Sequence, residues 1–209
     1  MDIVFKALLA FILLAAALSI LVMAVVQHRR VVSMGAMAHG MNMLFSTEDP
    51  FDLMRRYPDL VLFSAGHSGR VSNVAYGRVD SLPVRAFDFR YEAGHGTRRI
   101  TRSYSVVVVE TPSGLEPLLM WNSADLDCAP PAAQVGCSQI GRWLLQGSPQ
   151  DARRLEAMCE DLSGEAISIQ RMGDAIALFA PARSAGLYRK MIPTVRRMAG
   201  KEEISLASV

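Results

Sequence analysis

Cysteine and net charge are both scarce in this chain of 209 residues. It has three cysteines, and an odd number argues against a framework of disulfide bonds. Cys128 and Cys137 could pair if the domain faces an oxidising compartment. Cys159 falls on a predicted amphipathic helix and is expected to be buried. The formal net charge is +2, so the bulk charge gives no indication of nucleic-acid binding.

The common catalytic and cofactor motifs are missing as well. The sequence contains no P-loop, no H-E-x-x-H and no paired C-x-x-C. The glycines of Gly94-His95-Gly96 lack the third glycine and the following helix of a dinucleotide site. Gly66-His67-Ser68-Gly69 is not the G-x-S-x-G of a nucleophile elbow. We therefore expect no cofactor and no metal, although catalytic residues can also assemble from scattered positions.

One long apolar run stands near the N-terminus. Residues 7–26, ALLAFILLAAALSILVMAVV, carry no charge, and as a helix they would span about 30 Å, the thickness of a bilayer's hydrocarbon core. The run is longer than the roughly 7–15 apolar residues of a signal peptide. An A-x-A sequence at 36–38 lies well beyond its end, after two arginines. These features predict a retained single-pass membrane anchor.

Basic residues on the two sides of the run predict its orientation. Lys6 and the amino terminus precede it, whereas His28, Arg29 and Arg30 follow it. Because lysine and arginine are enriched in cytoplasmic flanks, this difference predicts a cytoplasmic C-terminal domain.

The composition divides the chain into four parts. We expect an anchor with its basic flank at 1–30, a Met-rich linker at 31–47, an α+β domain at 48–200 and a tail at 201–209. Met34, Met37 and Met41 fall at helical spacing, so the first helix could continue past the lipid. Four methionines around His39 could also hold Cu(I), although methionine more commonly fills apolar surface.

Alternation and turn residues predict an α+β fold, an antiparallel β-meander with two or three helices. Phe87, Phe89 and Tyr91 would share one face of a strand and Asp88 and Arg90 the other. Strands are expected at 60–64, 71–78, 84–92, 98–111, 115–121, 142–146, 166–171 and 175–180. Helices are expected at 48–58, from Ser148-Pro149 onward and within 184–199, and 122–141 is expected to be a loop.

Three segments of the chain carry a resemblance. They are RRYPDLVLFSAGHSGRVSNVAYGRV at 55–79, FDFRYEAGHGTRRITRSYSVVVVE at 87–110 and RWLLQGSP at 142–149. With its N-V-x-x-G strand and F-D-Y-x-Y-type hairpin, the chain resembles an uncharacterised family of bacterial proteins that have an N-terminal membrane helix and a β-rich domain. The resemblance covers most of the domain and implies a bacterial inner-membrane protein. Its motifs are structural, so it implies no activity, and the loop at 122–141 departs from the pattern.

Polar residues of the matched strands and turns are the candidate site residues. Asn73, Asp88 and Arg90 could line a cleft, or they could satisfy turn backbone and each other. His67 and His95 lie in glycine-flanked turns, where either could act as a general base or a ligand, or could simply be exposed.

Charge is unevenly distributed along the domain. Residues 55–102 contain nine arginines and four acids, whereas residues 103–170 contain three arginines and nine acids. The C-terminal helix has an apolar stripe, with Arg196 and Arg197 off that stripe. Such basic surfaces are either solvated faces or sites that meet anionic lipid or an acidic partner.

These observations favour a membrane-anchored binding or scaffolding module near the membrane surface. It would contact lipid through its N-terminal helix and could contact a protein partner, whereas no nucleic-acid partner is expected and the oligomeric state stays open. The alternative is a membrane-bound hydrolase with a site among the strands and turns of 66–105.

Overall fold

The computed structural model describes residues 2–94, 96–111, 114–181 and 184–206. These segments contain five α-helices: α1 (Asp2–Gly40), α2 (Leu53–Arg56), α3 (Pro131–Gln134), α4 (Pro149–Ala157) and α5 (Ala185–Leu206). They contain nine β-strands: β1 (Leu44–Ser46), β2 (His67–Val79), β3 (Leu82–Ala93), β4 (Ile100–Glu110), β5 (Leu118–Asn122), β6 (Ser138–Ile140), β7 (Trp143–Gln146), β8 (Ser168–Met172) and β9 (Ala175–Ala180). Four short 3₁₀ turns complete the fold.

The first helix, α1, is the single helix among the described residues that is long and apolar enough to cross a membrane. Its side chains from residue 3 to residue 29 are exposed, and an exposed apolar surface of this size is typical of a helix that lies in lipid. The same helix then continues without interruption into the domain, where Met34, Met37 and Ala38 are fully buried. Asn42 adopts a positive φ of 54° just after the helix, where the chain turns into β1.

All nine strands form one antiparallel sheet in the order β1-β2-β3-β4-β9-β8-β5-β7-β6. The fold is therefore α+β. Strands β1 to β4 are neighbours in chain order and make a meander. The β8–β9 hairpin then inserts between β4 and β5, so the last part of the sheet is assembled from segments that are distant in sequence.

Each face of the sheet covers its own core. On one face, the buried end of α1 packs with α4 and α5 over residues such as Val84, Val107 and Leu178. On the other face, α2, α3 and their neighbouring turns cover Phe87, Phe89 and Trp121. The Met-rich segment contributes directly to the first core, where methionine fills irregular apolar space.

A compact ionic cluster fixes α2 to the second face. Glu110 Oε1 accepts hydrogen bonds from Arg56 Nε (2.8 Å), the Tyr57 hydroxyl (2.8 Å) and Arg85 Nη1 (2.6 Å). Partial burial acts to raise the pKa of Glu110, but these donors and the charge of Arg85 outweigh it and lower that pKa. Burial raises the pKa of Tyr57 to about 12.

Most of the predicted elements are present. The alternation in β3 is confirmed, since Phe87, Phe89 and Tyr91 are buried on one face. The helix expected at Ser148-Pro149 is α4, and the Ser148 hydroxyl caps it by accepting from the Asp151 N–H. The apolar stripe of α5 is also confirmed, because all four of its members are buried: Leu187, Met191, Val195 and Met198.

Three local predictions are wrong. The helix expected at 48–58 is a single turn, α2 (Leu53–Arg56), with Asp52 at its N-cap. The strand expected at 60–64 is a 3₁₀ turn, Val61–Ser64. Its apolar run, LVLF, lacks alternation, and such a run fits a buried turn as well as a strand. The segment 122–141 is more ordered than a loop, because it holds a 3₁₀ turn (Ser123–Cys128), α3 and β6. Cys128, Cys137 and Cys159 are free thiols, and Cys159 is buried.

Candidate functional site

Asp88 lies where the membrane helix meets the sheet. Its position on β3 faces α1, and Arg30 reaches it from the end of the exposed part of that helix. The Arg30 Nε donates to Asp88 Oδ2 at 3.0 Å, and the Arg30 Nη2 donates to Oδ1, so the pair is bidentate. Arg30 is 9% exposed and Asp88 is 2% exposed. A buried charge needs a partner, and here each charge has one.

Two further side chains complete the contacts of this carboxylate. The Asn73 amide donates to Asp88 Oδ2 at 2.8 Å. The Tyr188 hydroxyl lies 2.9 Å from Asp88 Oδ1 and 2.5 Å from the carbonyl oxygen of Phe87. The Arg30 guanidinium also lies over the Tyr188 ring, 5.4 Å from its centroid.

Local backbone conformation explains why asparagine is suited to position 73. Asn73 lies at an irregularity in the β2–β3 ladder, between Ser72 and Ala75, and its φ is 52°. Asparagine adopts this left-handed region more readily than most residues. Its N–H donates to the Thr47 carbonyl oxygen at 3.0 Å, which leaves the side-chain amide directed at Asp88.

Burial raises the pKa of Tyr188 well above its ordinary value, and the negative charge of Asp88 raises that pKa further. The phenol therefore remains protonated and acts as a donor. The Asp88 carboxylate is held by three elements besides its own strand: α1, β2 and α5. This arrangement suits a structural joint between helix and sheet better than a general base, because the carboxylate is already bound to a guanidinium.

A polar cavity of about 160 Å³ lies beside the joint. Arg70 and Arg90 line it from β2 and β3, and Gln27 and Val31 line it from α1. Thr47, Ser72, Asn73, Asp88 and Phe89 complete the lining. Because Asp88 is paired with Arg30, the two cavity arginines give this site a net positive charge.

The structure thus brings together Asn73, Asp88, Arg90 and Arg30 from the predicted site residues. His28 and Arg29 are exposed on α1 beside them. His95 lies outside the described residues.

His67 is near one end of the β2–β3 ladder, and its ring is engaged by neighbours. Its Nε2 lies 2.9 Å from the Gly94 carbonyl oxygen. Its Nδ1 lies 3.2 Å from the Ser68 hydroxyl and 3.7 Å from the Glu92 carboxylate. In a Ser–His–acid catalytic arrangement, the serine hydroxyl contacts one ring nitrogen of the histidine and the carboxylate contacts the other. In this protein, the Ser68 hydroxyl and the Glu92 carboxylate both lie near Nδ1.

Arg196 and Arg197 lie far from this site. Arg196 pairs with Asp80 at the turn between β2 and β3, which is the opposite end of β3 from Arg90. Arg197 pairs with Asp161 at 2.9 Å. Both bases are therefore engaged by acids of their own domain.

Sequence reasoning missed several members of the site. Tyr188, Arg70, Ser72 and Thr47 were not singled out, and Arg30 was interpreted as a membrane flank alone. A signal for Arg30 was present, since it precedes Met34 and Met37 at helical spacing and so extends the buried stripe of α1. Among the described residues, no three His, Cys, Asp or Glu side chains are grouped as metal ligands.

Comparison with known proteins identifies a similar fold. No family model matches the chain. No curated protein sequence matches it significantly. A similar solved structure is the crystal structure of the mycobacterial trehalose monomycolate transport factor A, TtfA, with a TM-score of 0.61 and 14% sequence identity. The similarity covers 82% of this chain and 93% of that chain. At this identity the likeness shows a shared fold.

Proposed function

We propose that this protein is a membrane-anchored, non-catalytic binding module that holds its domain in a fixed orientation at the inner surface of a bacterial plasma membrane. The observation that carries this proposal is the Arg30–Asp88 joint. It attaches the membrane helix to the middle of β3, where both charges are buried.

A domain that needed only to be kept near a membrane could be tethered by a flexible Gly/Ser-rich linker. Here the segment 31–40 is helical, and Met34 and Met37 are completely buried in the domain core. Any tilt of the membrane helix is thus transmitted to the sheet. Fixed presentation of a surface is useful to a module that must meet a membrane-bound partner at a defined height and angle.

A cytoplasmic location is supported by the basic flank of α1, which carries Arg29 and Arg30 after the apolar run and Lys6 before it. The end of the domain nearest the cavity adds Arg70 and Arg90. Anionic lipids are enriched in the cytoplasmic leaflet, so a basic membrane-facing end suits that side.

The shared fold with TtfA supports the same proposal. That protein is described as a transport factor for trehalose monomycolate. By analogy of fold we propose that this chain is also an accessory component of a membrane process. The hydrolase interpretation gains no support from His67, whose ring contacts differ from those of a catalytic triad.

Insertion of a flexible linker tests whether orientation matters. Six Gly/Ser residues placed between Val26 and Gln27 would leave the buried part of α1 intact and uncouple it from the membrane span. In a strain lacking the native gene, we expect this variant to reach the membrane, stay folded and fail to complement. The matched control has the same insert between Lys6 and Ala7, before the span, and should complement. Full complementation by the Val26–Gln27 insertion would contradict the proposal, because a tethered enzyme tolerates a flexible tether.

A further inference from the structure

The cavity beside the Arg30–Asp88 joint lies at the end of the domain from which the apolar run of α1 extends. The chain just past α1 lies against Gly77, near one end of the β2–β3 ladder. Farther back along α1, Arg30 meets Asp88. Still closer to the membrane span, Gln27 lines the cavity with Arg90. Residues of α1 that are closer to the membrane span therefore lie beside residues of β3 that are closer to the β3–β4 turn.

The cavity consequently lies at the level where the apolar run ends. Gln27 is the first residue after Val26, the last residue of that run. In a bilayer this is the depth of the lipid headgroups. The β3–β4 turn at the same end of the domain carries two exposed arginines, Arg98 and Arg99, followed by the exposed Ile100. This placement accounts for part of the arginine excess in residues 55–102.

The two cavity arginines are arranged in an unusual way. Arg70 and Arg90 are directly opposite each other in the β2–β3 ladder. Like charges in this position destabilise a sheet. Within the described part of the chain, neither forms an ion pair with an acid. Asp88, the acid that lines the same cavity, is bound to Arg30. Both arginine side chains are exposed, so an anion that enters the cavity can reach their guanidinium groups and offset the repulsion between them.

The remaining polar groups suit a phosphate oxygen. Thr47 and Ser72 bring hydroxyl groups and Gln27 brings an amide, all of which can donate hydrogen bonds. Guanidinium groups bind phosphate through paired, charge-assisted hydrogen bonds. A cavity of about 160 Å³ admits a phosphate-sized group but not a whole lipid. The acyl chains of a bound lipid would remain in the bilayer beside α1.

We propose that Arg70 and Arg90 bind the headgroup phosphate of an anionic phospholipid at the foot of the membrane helix. The proposal rests on the membrane attachment described above but requires no protein partner. Bound lipid would add a second point of contact between domain and bilayer. It would thereby help to set the orientation of the domain.

Lipid retention by the full-length protein tests this proposal. The protein, purified in detergent, is titrated with phosphatidylglycerol or phosphatidylcholine and examined by native mass spectrometry. We expect the wild type to prefer phosphatidylglycerol, and the double variant Arg70→Gln, Arg90→Gln to bind it about tenfold more weakly or worse. The matched control, Arg196→Gln with Arg197→Gln, removes the same charge at the other end of β3 and should bind like the wild type.

Three further measurements make the result decisive. Melting of the Arg70→Gln, Arg90→Gln variant should occur at or above the wild-type temperature, since the substitution removes a like-charge pair. A double variant with lysine at both positions keeps the charge and should retain part of the preference. Inorganic phosphate at millimolar concentration should not displace the lipid.

Equal lipid preference in the wild type and the glutamine variant would overturn the proposal. A site that takes inorganic phosphate but shows no preference for phosphatidylglycerol would overturn it too, in favour of a free anion. Neither result would affect the linker-insertion experiment, so failure of the lipid site is distinguishable from failure of the proposed function.

Discussion

Replacement of Asp88 by alanine tests the energetic role of the helix–sheet joint. The change leaves the Arg30 guanidinium buried without its counter-ion, and it removes the acceptor of the Asn73 amide. Loss of one partner from a buried ion pair costs about 3–5 kcal/mol, because the remaining charge is uncompensated. For a domain of this size each kcal/mol lowers the melting temperature by roughly 2–4 °C, so we expect a decrease of roughly 6–20 °C.

The assay is thermal unfolding of the full-length protein in detergent, followed by tryptophan fluorescence. Both tryptophans, Trp121 and Trp143, are buried in the domain, so their emission reports its unfolding. The matched control is Asp80→Asn, which removes the charge from the Arg196–Asp80 pair, whose side chains are 45% and 61% exposed, and keeps a residue suited to the positive φ of 48° at this position. An exposed pair contributes about 0–1 kcal/mol, so this variant should melt close to the wild type.

A double variant separates an orphaned charge from a loss of packing. Arg30→Met combined with Asp88→Leu replaces both charges by apolar groups of similar size. Because neither charge is then left unpaired, the pair of changes should recover much of the stability that Asp88→Ala loses. The reasoning would be refuted if Asp88→Ala and Asp80→Asn melted at the same temperature.

Further outcomes are expected elsewhere in the chain. Phe89→Ala removes a ring that is 1% exposed, and it should lower the free energy of unfolding, measured by chemical denaturation, by about 3–5 kcal/mol. A denaturation midpoint equal to that of the parent protein would refute this. Gly66→Ala places a Cβ against the backbone of β3 and should lower the melting temperature, whereas Gly164→Ala, where the space is open, should not. Because the folded-state pKa of Glu110 is lowered, its stabilising contribution is present above the ordinary value of 4.5 and is lost as the pH falls through the folded-state pKa. A Glu110→Gln variant should lack this acid-dependent loss in melts at pH 3–6. A periplasm-specific reporter fused after Val209 should be inactive, and an active reporter would place the domain on the other side of the membrane.

Local patterns predicted the elements that depend on local physics. The alternation of β3 requires only that one face be buried, so the sequence identifies Phe87 and Phe89 as core residues without knowledge of their partners. The N-terminal cap of α4 is equally local, because Ser148 bonds to an N–H three residues away.

The site depends on contacts between distant segments, and these were only partly predictable. Asn73, Asp88 and Arg90 were recognised as polar residues on strands that should be half buried. Their partner Arg30 is 58 residues from Asp88, and Tyr188 is 100 residues from it. A basic residue after an apolar run ordinarily indicates topology, so its burial within the fold is apparent only when the chain is assembled.

The β8–β9 hairpin shows the same limit at the level of topology. The hairpin itself is predicted by its two apolar segments and the short turn between them. Its insertion between β4 and β5 depends on the pairing of β4 with β9 and of β8 with β5. Neither pairing leaves a signal in the local pattern of either segment.

The distance between the membrane helix and the domain tests the central claim of a rigid joint most directly. Spin labels at Met23 and Val135, both exposed, would be placed in a Cys137→Ser background. Double electron–electron resonance would then be recorded on the protein in lipid nanodiscs. We expect one narrow distance distribution for the parent protein and a broad one when Gly/Ser residues separate Val26 from Gln27. A parent distribution as broad as that of the insertion variant would contradict the claim that α1 and the sheet form one unit.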